Sequence, residues 1–288
     1  MKKHAIIMQC HTAPEQINLM TALFPADRFD FIIHVDKKSG IKPQIEAREN
    51  VFFVPDDRRV DVRWGRFSQV EATLALLRMV DPERYAYAHL ISGVDFPIKT
   101  PEQILEACDG REFIESRVLP GDTVWAWGGL DRYMVRYPDW MILRPEHRFV
   151  RLVRLAYREF MMRTGLYRLR RCPAETFYRG SSWFSVTGEC AAWMMEYIDA
   201  HPEYTRFFDH GVCVDEVYFS TLVRMSPFAD RVESDAMRYV RWKGGRNGGP
   251  SFLTEADIPA MAESRGFFAR KIDDISLCRT IRERLLDR

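Results

Sequence analysis

The sequence predicts an α/β fold, a mostly parallel sheet with helices on its faces. Three observations lead there. Short apolar runs alternate with amphipathic stretches through the N-terminal third. Gly93 closes the run that ends at Ser92, and Pro101 opens the amphipathic stretch that follows. With 288 residues, 47% of them apolar and 29% charged, the chain can bury a substantial single core.

Taken in order, Ala5 to Met8 reads as a strand, Pro14 to Leu23 as a helix and Phe29 to Val35 as a strand. Val51 to Val54 is a short strand, and Ser68 to Val80 a helix with Val70, Leu74, Leu77 and Met79 near helical spacing. Tyr85 to Ser92 is the next strand, closed by Gly93, and Pro101 opens a helix. Leu119 to Trp140 has no clear period and reads as loop, whereas His147 to Arg163 reads as a strongly amphipathic helix. In that helix Arg148, Arg151, Arg154 and Arg158 take one side, and Phe149, Val150, Val153, Tyr157 and Phe160 the other, expected to cover the core. Residues 182–187 form a strand and 188–199 and 215–224 form helices; Lys243 to Pro250 is a glycine-rich loop, and Thr254 caps a helix from near Glu255. The expected organisation is one domain over 1–288, with two halves at 1–110 and 111–288.

A net charge of +1 offers no general attraction to nucleic acid. The six cysteines form no CxxC pair and read as reduced thiols in a cytoplasmic protein. His210 and Cys213 make one H-x-x-C without a second pair, which argues against zinc. The N-terminus is too short in apolar residues for a signal peptide, and no run approaches a membrane span.

In such sheets ligands gather beyond the carboxyl ends of the strands. His34, Asp36 and Asp95 stand at two such ends; the alternatives are a structural histidine and turn aspartates. Asp215 and Glu216 open an apolar helix, where they either cap it or leave one carboxylate facing a cleft as a base. Arg270 and Lys271 lie beside Phe267 and Phe268, and could clamp a diphosphate or form a solvated turn. Arg246, set among glycines, could approach an anion closely or sit in a flexible loop. No two aspartates are separated by a single residue, so an Asp-x-Asp metal site on a diphosphate is absent, and fixed cations would have to replace the ion.

Read in order, His34-Val35-Asp36-Lys37-Lys38, Trp64 through Val70, Leu90 through Thr100, Gly180 through Phe184, Asp215-Glu216, Arg238 through Trp242, and Leu253 through Lys271 ending Phe-Phe-Ala-Arg-Lys form a pattern across residues 5–274. The pattern resembles glycosyltransferase family 14, the core-2/I-branching β-1,6-N-acetylglucosaminyltransferases and their peptide O-xylosyltransferase relatives. The resemblance implies a GT-A type fold with a single Rossmann-like mixed sheet flanked by helices, a nucleotide-sugar-binding half at 1–110 and an acceptor-binding, catalytic half at 111–288, a UDP-sugar donor, inversion at the anomeric carbon and no metal or other cofactor. By motif match it makes Glu216 the base and Lys271 the diphosphate lysine, with Glu115 and Trp242 on the acceptor and His34-Val35-Asp36 at the nucleoside. The family's diphosphate arginine does not align without a gap, and Arg246 is the substitute.

The expected partners are therefore a UDP-sugar and a glycan, lipid-linked or peptide acceptor. The basic helix and Arg168, Arg170 and Arg171 suggest peripheral contact of 147–171 with an anionic membrane at the inner face, or a solvated basic surface over the core. A non-catalytic nucleotide-sugar- or glycan-binding protein is the competing class, and the presence of both Glu216 and Lys271 argues against it.

Overall fold

The computed structural model describes residues 1–121, 125–143, 147–243 and 249–287. Its strands are β1 (Lys3–Cys10), β2 (Phe29–Val35), β3 (Val51–Phe53), β4 (Tyr85–Ser92), β5 (Asp95–Pro97), β6 (Glu112–Phe113), β7 (Arg117–Leu119), β8 (Phe177–Arg179), β9 (Ser185–Thr187), β10 (Val232–Glu233), β11 (Arg238–Val240) and β12 (Phe268–Arg270). Among the described residues they form a seven-stranded sheet in the order β10-β6-β9-β4-β1-β2-β3, a three-stranded sheet β11-β12-β5, and the pair β7-β8.

The parallel part is β3-β2-β1-β4, the alternating strand–helix region of the sequence. Its strands read as continuous apolar runs because both faces are covered. Along β1, Ala5 and Ile7 face a core shared with the Ser68–Leu77, Gly188–Ala200 and Asp215–Met225 helices. Ile6 and Met8 face a second core, shared with the Pro14–Thr21 and Ile275–Ile281 helices.

The large sheet is mixed, as the expected fold class has it, and its antiparallel part lies in the second half of the chain. β9 runs antiparallel to both β4 and β6. The short strands β5 to β8 and β10 to β12 escape sequence reading because two or three residues carry no measurable period. The stretch read as loop at 119–140 contains the short helices Ala126–Gly129 and Leu130–Tyr133, and Asp139–Leu143 begins at its end; four or five residues are too few for a helical stripe. Thr254 does begin a helical turn: the Asp257 carboxylate accepts from its N–H at 2.8 Å and its hydroxyl at 3.1 Å.

The Arg148–Thr164 helix has the predicted bounds within a residue, but Phe149 and Phe160 are exposed rather than packed on the core. Val150, Val153 and Tyr157 do turn inward, so the helix is apolar on two sides, not one.

Candidate active site

The Asp215–Met225 helix begins in the deep core: Val217, Tyr218, Leu222 and Val223 are wholly buried. That anchors its first turn rigidly. Neither carboxylate is the N-cap, which is Val214. Asp215 points inward and accepts from the Ser182 hydroxyl at 2.6 Å; burial raises its pKa, with the serine opposing. Glu216 points outward, with 33% of its side chain open to solvent, and is ion-paired with Arg132. The surrounding protein still desolvates its carboxylate and raises its pKa to about 7; Asp215 adds to the rise and Arg132 opposes it.

Arg132 is itself held flat. Its guanidinium lies 3.7 Å from the centre of the Trp125 ring. A cavity of about 130 Å³ opens beside it, lined by Asp131, Arg132, Tyr137, Arg154, Arg158 and Cys213.

Close backbone approach sets the other wall. The Gly180 N–H donates to the Glu216 carbonyl at 2.8 Å. A Cβ at Gly180 would fall 1.8 Å from the Glu115 carbonyl oxygen, so only glycine fits. One turn along the helix, the Ser220 hydroxyl donates to the same oxygen at 2.8 Å. Glu115 and Glu216 thus flank Gly180, and the Glu115 carboxylate pairs with Arg117 at 3.1 Å. Below the base, the Cys213 N–H donates to the Gly65 carbonyl at 3.0 Å, with Gly65 at φ +69°. The Trp64–Val70 stretch thereby braces the loop that leads into Glu216.

The cationic side is built on β12. Its register sets Arg270 opposite Asp95 of β5. Asp95 has no exposed surface; it accepts from the Ser92 N–H at 2.8 Å and hydroxyl at 2.9 Å, and lies 3.7 Å from Arg270 Nε. Arg270 is buried, with Nε and Nη1 making no hydrogen bond, and its guanidinium sits 4.1 Å from the Trp183 ring centre. Burial lowers its pKa and Asp95 opposes. Lys271 is half-buried, its ammonium 5.9 Å from the Phe252 ring centre, with no ion pair or hydrogen bond to the described residues. Trp242 is exposed and bridges to Pro250. The Leu253 N–H donates to the Lys271 carbonyl at 2.8 Å, and the Ser251 N–H to the Arg241 carbonyl at 2.7 Å, so the 251–253 segment runs between Lys271 and Arg241, the neighbour of Trp242.

One run of contacts connects the two sides. Lys271 is bonded to Arg270, Arg270 lies on Trp183, Ser182 holds Asp215, and Glu216 follows. The Gly180 to Phe184 stretch is the bridge.

A family model described as Core-2/I-Branching enzyme matches residues 7–262. The chain belongs to the Core-2/I-Branching enzyme family. A search of curated proteins found no match to it. This is a family of glycosyltransferases, which in general move a sugar from a nucleotide-sugar donor to a glycan acceptor and release the nucleotide. The large mixed sheet flanked by helices is that of a GT-A type fold.

Within this Core-2/I-Branching enzyme, His34 is wholly buried. Its Nε2 accepts from the Val60 N–H at 2.9 Å, and burial lowers its pKa to about 4. Asp36 is buried beside it and accepts from the Lys38 N–H at 3.1 Å. Arg59 straps the loop, donating to the carbonyls of Val35 at 2.7 Å and Asp36 at 2.8 Å. In this structure both side chains brace the loop that follows β2. Arg246 lies outside the described residues.

Among the described residues one group could jointly hold a metal, His4, His89 and Cys108, a cluster the sequence reading missed because 85 residues separate the histidines. It lies in the interior, where His4 Nδ1 and His89 Nε2 share a hydrogen bond of 3.0 Å. No helix among the described residues is long and apolar enough to cross a membrane.

Sequence reasoning also missed Arg132, Trp125 and Trp183. Arg132 is 84 residues from Glu216, in a stretch without period, and no local signal marks such a pair. Trp183 stands in a stretch that matched the family pattern, but its packing on Arg270 follows from the tertiary fold.

Proposed function

We propose that the chain transfers a sugar, N-acetylglucosamine or xylose, from a UDP-sugar to a hydroxyl of a glycan or glycoconjugate, with inversion and without a divalent metal. The observation that carries this reading is Glu216: a carboxylate fixed on a buried helix, partly open to solvent, with a pKa raised to about 7. A base works best when its pKa lies near the working pH. Glu216 takes the proton of the acceptor hydroxyl as that oxygen bonds to the anomeric carbon, and the bond to the UDP oxygen breaks on the opposite face. Lys271 and Arg270 meet the charge that develops on the leaving diphosphate. Lys271 has an uncommitted ammonium among the described residues, and Arg270 has two buried nitrogens without hydrogen bonds. Glu115, across Gly180 from the base, and the exposed Trp242 suit an acceptor sugar through a carboxylate and an aromatic face. His34, Asp36 and Asp95 shape the nucleotide edge from beneath, and Arg246 is the further cation for the diphosphate. The free cysteines suit a reducing compartment.

The test is turnover of a panel of UDP-sugars, with and without EDTA. Hydrolysis or transfer from at least one donor, unchanged by EDTA, is expected. No turnover of any UDP-sugar defeats the donor assignment, and loss of activity in EDTA that added metal restores defeats metal independence.

A further inference from the structure

The surface opposite the core face of the Arg148–Thr164 helix is apolar where solvent would favour polar residues. Residues 149, 152, 156, 160 and 163 share one side of a helix of 3.6 residues per turn. On it Phe149 is 74% exposed, Leu152 65% and Phe160 56%. The short helices Asp139–Leu143 and Leu166–Leu169 pack against this helix and add exposed Trp140 and Leu169, the latter 82% exposed. Large apolar side chains grouped in this way mark an interaction surface rather than scattered exposure.

The charge around the stripe selects the partner. Between residues 147 and 171 stand eight arginines and a single glutamate. That glutamate, Glu159, is turned to Trp127 at 3.2 Å and Arg158 at 2.9 Å. Arg148 and Arg151 are exposed beside the stripe and make no ion pair with the described residues; Arg168 and Arg171 extend the basic rim. A second copy is disfavoured, since a two-fold pairing would set this rim against itself. A convex helix offers no groove to a peptide. Anionic headgroups match the rim, and the acyl boundary accepts the aromatic and leucine side chains.

The inner side of the same helix reaches the base. Arg158 pairs with Asp131 at 3.5 Å, and the Tyr157 hydroxyl donates to the Arg136 carbonyl at 3.2 Å. Between those two contacts lies Arg132, the partner of Glu216. We propose that residues 147–171 dock on an anionic lipid bilayer, and that the acceptor reaching Glu216 is a lipid-linked glycan presented at that surface. The second half rests on the transferase reading; the docking itself does not.

The experiment is co-sedimentation of the full chain with phosphatidylcholine vesicles, and with vesicles containing about a third phosphatidylglycerol, at low and high salt. Binding is expected on the anionic vesicles at low salt, weakened severalfold by salt. A combined Phe149→Ser, Leu152→Ser, Phe160→Ser variant should lose at least about tenfold in bound fraction, and Arg148→Gln with Arg151→Gln severalfold. All three positions are exposed, so the thermal midpoint and UDP binding of the triple variant should match the parent. Equal binding to both vesicle types, binding to neither, or a dimer in analytical ultracentrifugation that the triple variant dissolves would overturn the docking. Vesicle binding by a chain that turns over no UDP-sugar would leave docking intact and remove only the acceptor claim.

Discussion

His34 and Asp36, at the carboxyl end of β2, and Asp95, which opens β5 just beyond β4, are buried and already engaged by neighbouring protein groups. Glu216 and Lys271, in the second half of the chain, keep part of their surface open. Both sets are polar residues at element ends, and both match the family pattern in sequence. Position at a strand or helix end therefore does not distinguish a group left open to solvent from one that braces the loop beneath it. What distinguishes them is whether the fold leaves a polar atom available, and that makes the comparison testable.

The largest expected effect is on the open set. Glu216→Gln should lower kcat by ~10²–10⁴, while UDP affinity measured by calorimetry changes by less than about twofold. Wild-type turnover in this variant would show that Glu216 is no more chemical than Asp95. The closed set predicts a loss of stability instead. Asp95→Ala leaves the buried Arg270 guanidinium without its carboxylate, which should cost about 3–5 kcal/mol in urea unfolding. A variant as stable as the parent would mean the pair does not brace the site. Lys271→Ala should reduce kcat by roughly 10² with a smaller change in donor KM, because the charge it meets develops in the transition state. An effect on KM alone would make it a ground-state contact.

The buried rings give a pH signature. His4 and His34 have folded pKa values of about 4, below the ordinary 6.5, because burial disfavours the charged ring. Between those values the unfolded ring binds a proton that the folded ring does not, so the contribution of these two histidines falls as pH drops from about 6.5 towards about 4, while Glu216, raised to about 7, contributes with the opposite sign over part of that window. Each ring contributes about 1.4 kcal/mol per pH unit in that window. The check is the difference in urea unfolding between the parent and His34→Gln across this window; a difference that does not change with pH would place the ring in contact with water. Activity should run on a different group. With Glu216 as the proposed base, kcat should rise with pH through about 7 and level above it. Arg132→Gln removes a charge that opposes the raised pKa, so the midpoint should move to higher pH, with severalfold less activity at pH 7 and recovery at pH 9. An unmoved midpoint would separate Arg132 from the base.

Much of the frame was legible in the sequence. The limits of β2, β4 and the Gly188–Ala200 and Asp215–Met225 helices fall within a residue of the periodic pattern, because long buried elements carry a strong period. The short strands and the 126–143 helices were not, since two to five residues hold too little pattern. The site was legible as a set of residues and not as a set of contacts: Glu216 and Lys271 stood out, while Arg132, Trp125 and Trp183 did not. The outward stripe of the Arg148–Thr164 helix was also missed. Periodicity shows that residues share a face but not which face meets the core, and this helix has two apolar sides.

The sequence by itself determined the fold class, the family pattern, the missing Asp-x-Asp and the identity of one acid and one lysine as candidates. These depend on residue type and local spacing, which the chain carries before it folds. Only the tertiary structure decided that Glu216 is held open beside Arg132, that Asp95 is closed over Arg270, and that Phe149, Leu152 and Phe160 face outward. Each of those depends on neighbours brought from distant parts of the chain, and solvation of a side chain is a property of its surroundings rather than of its type.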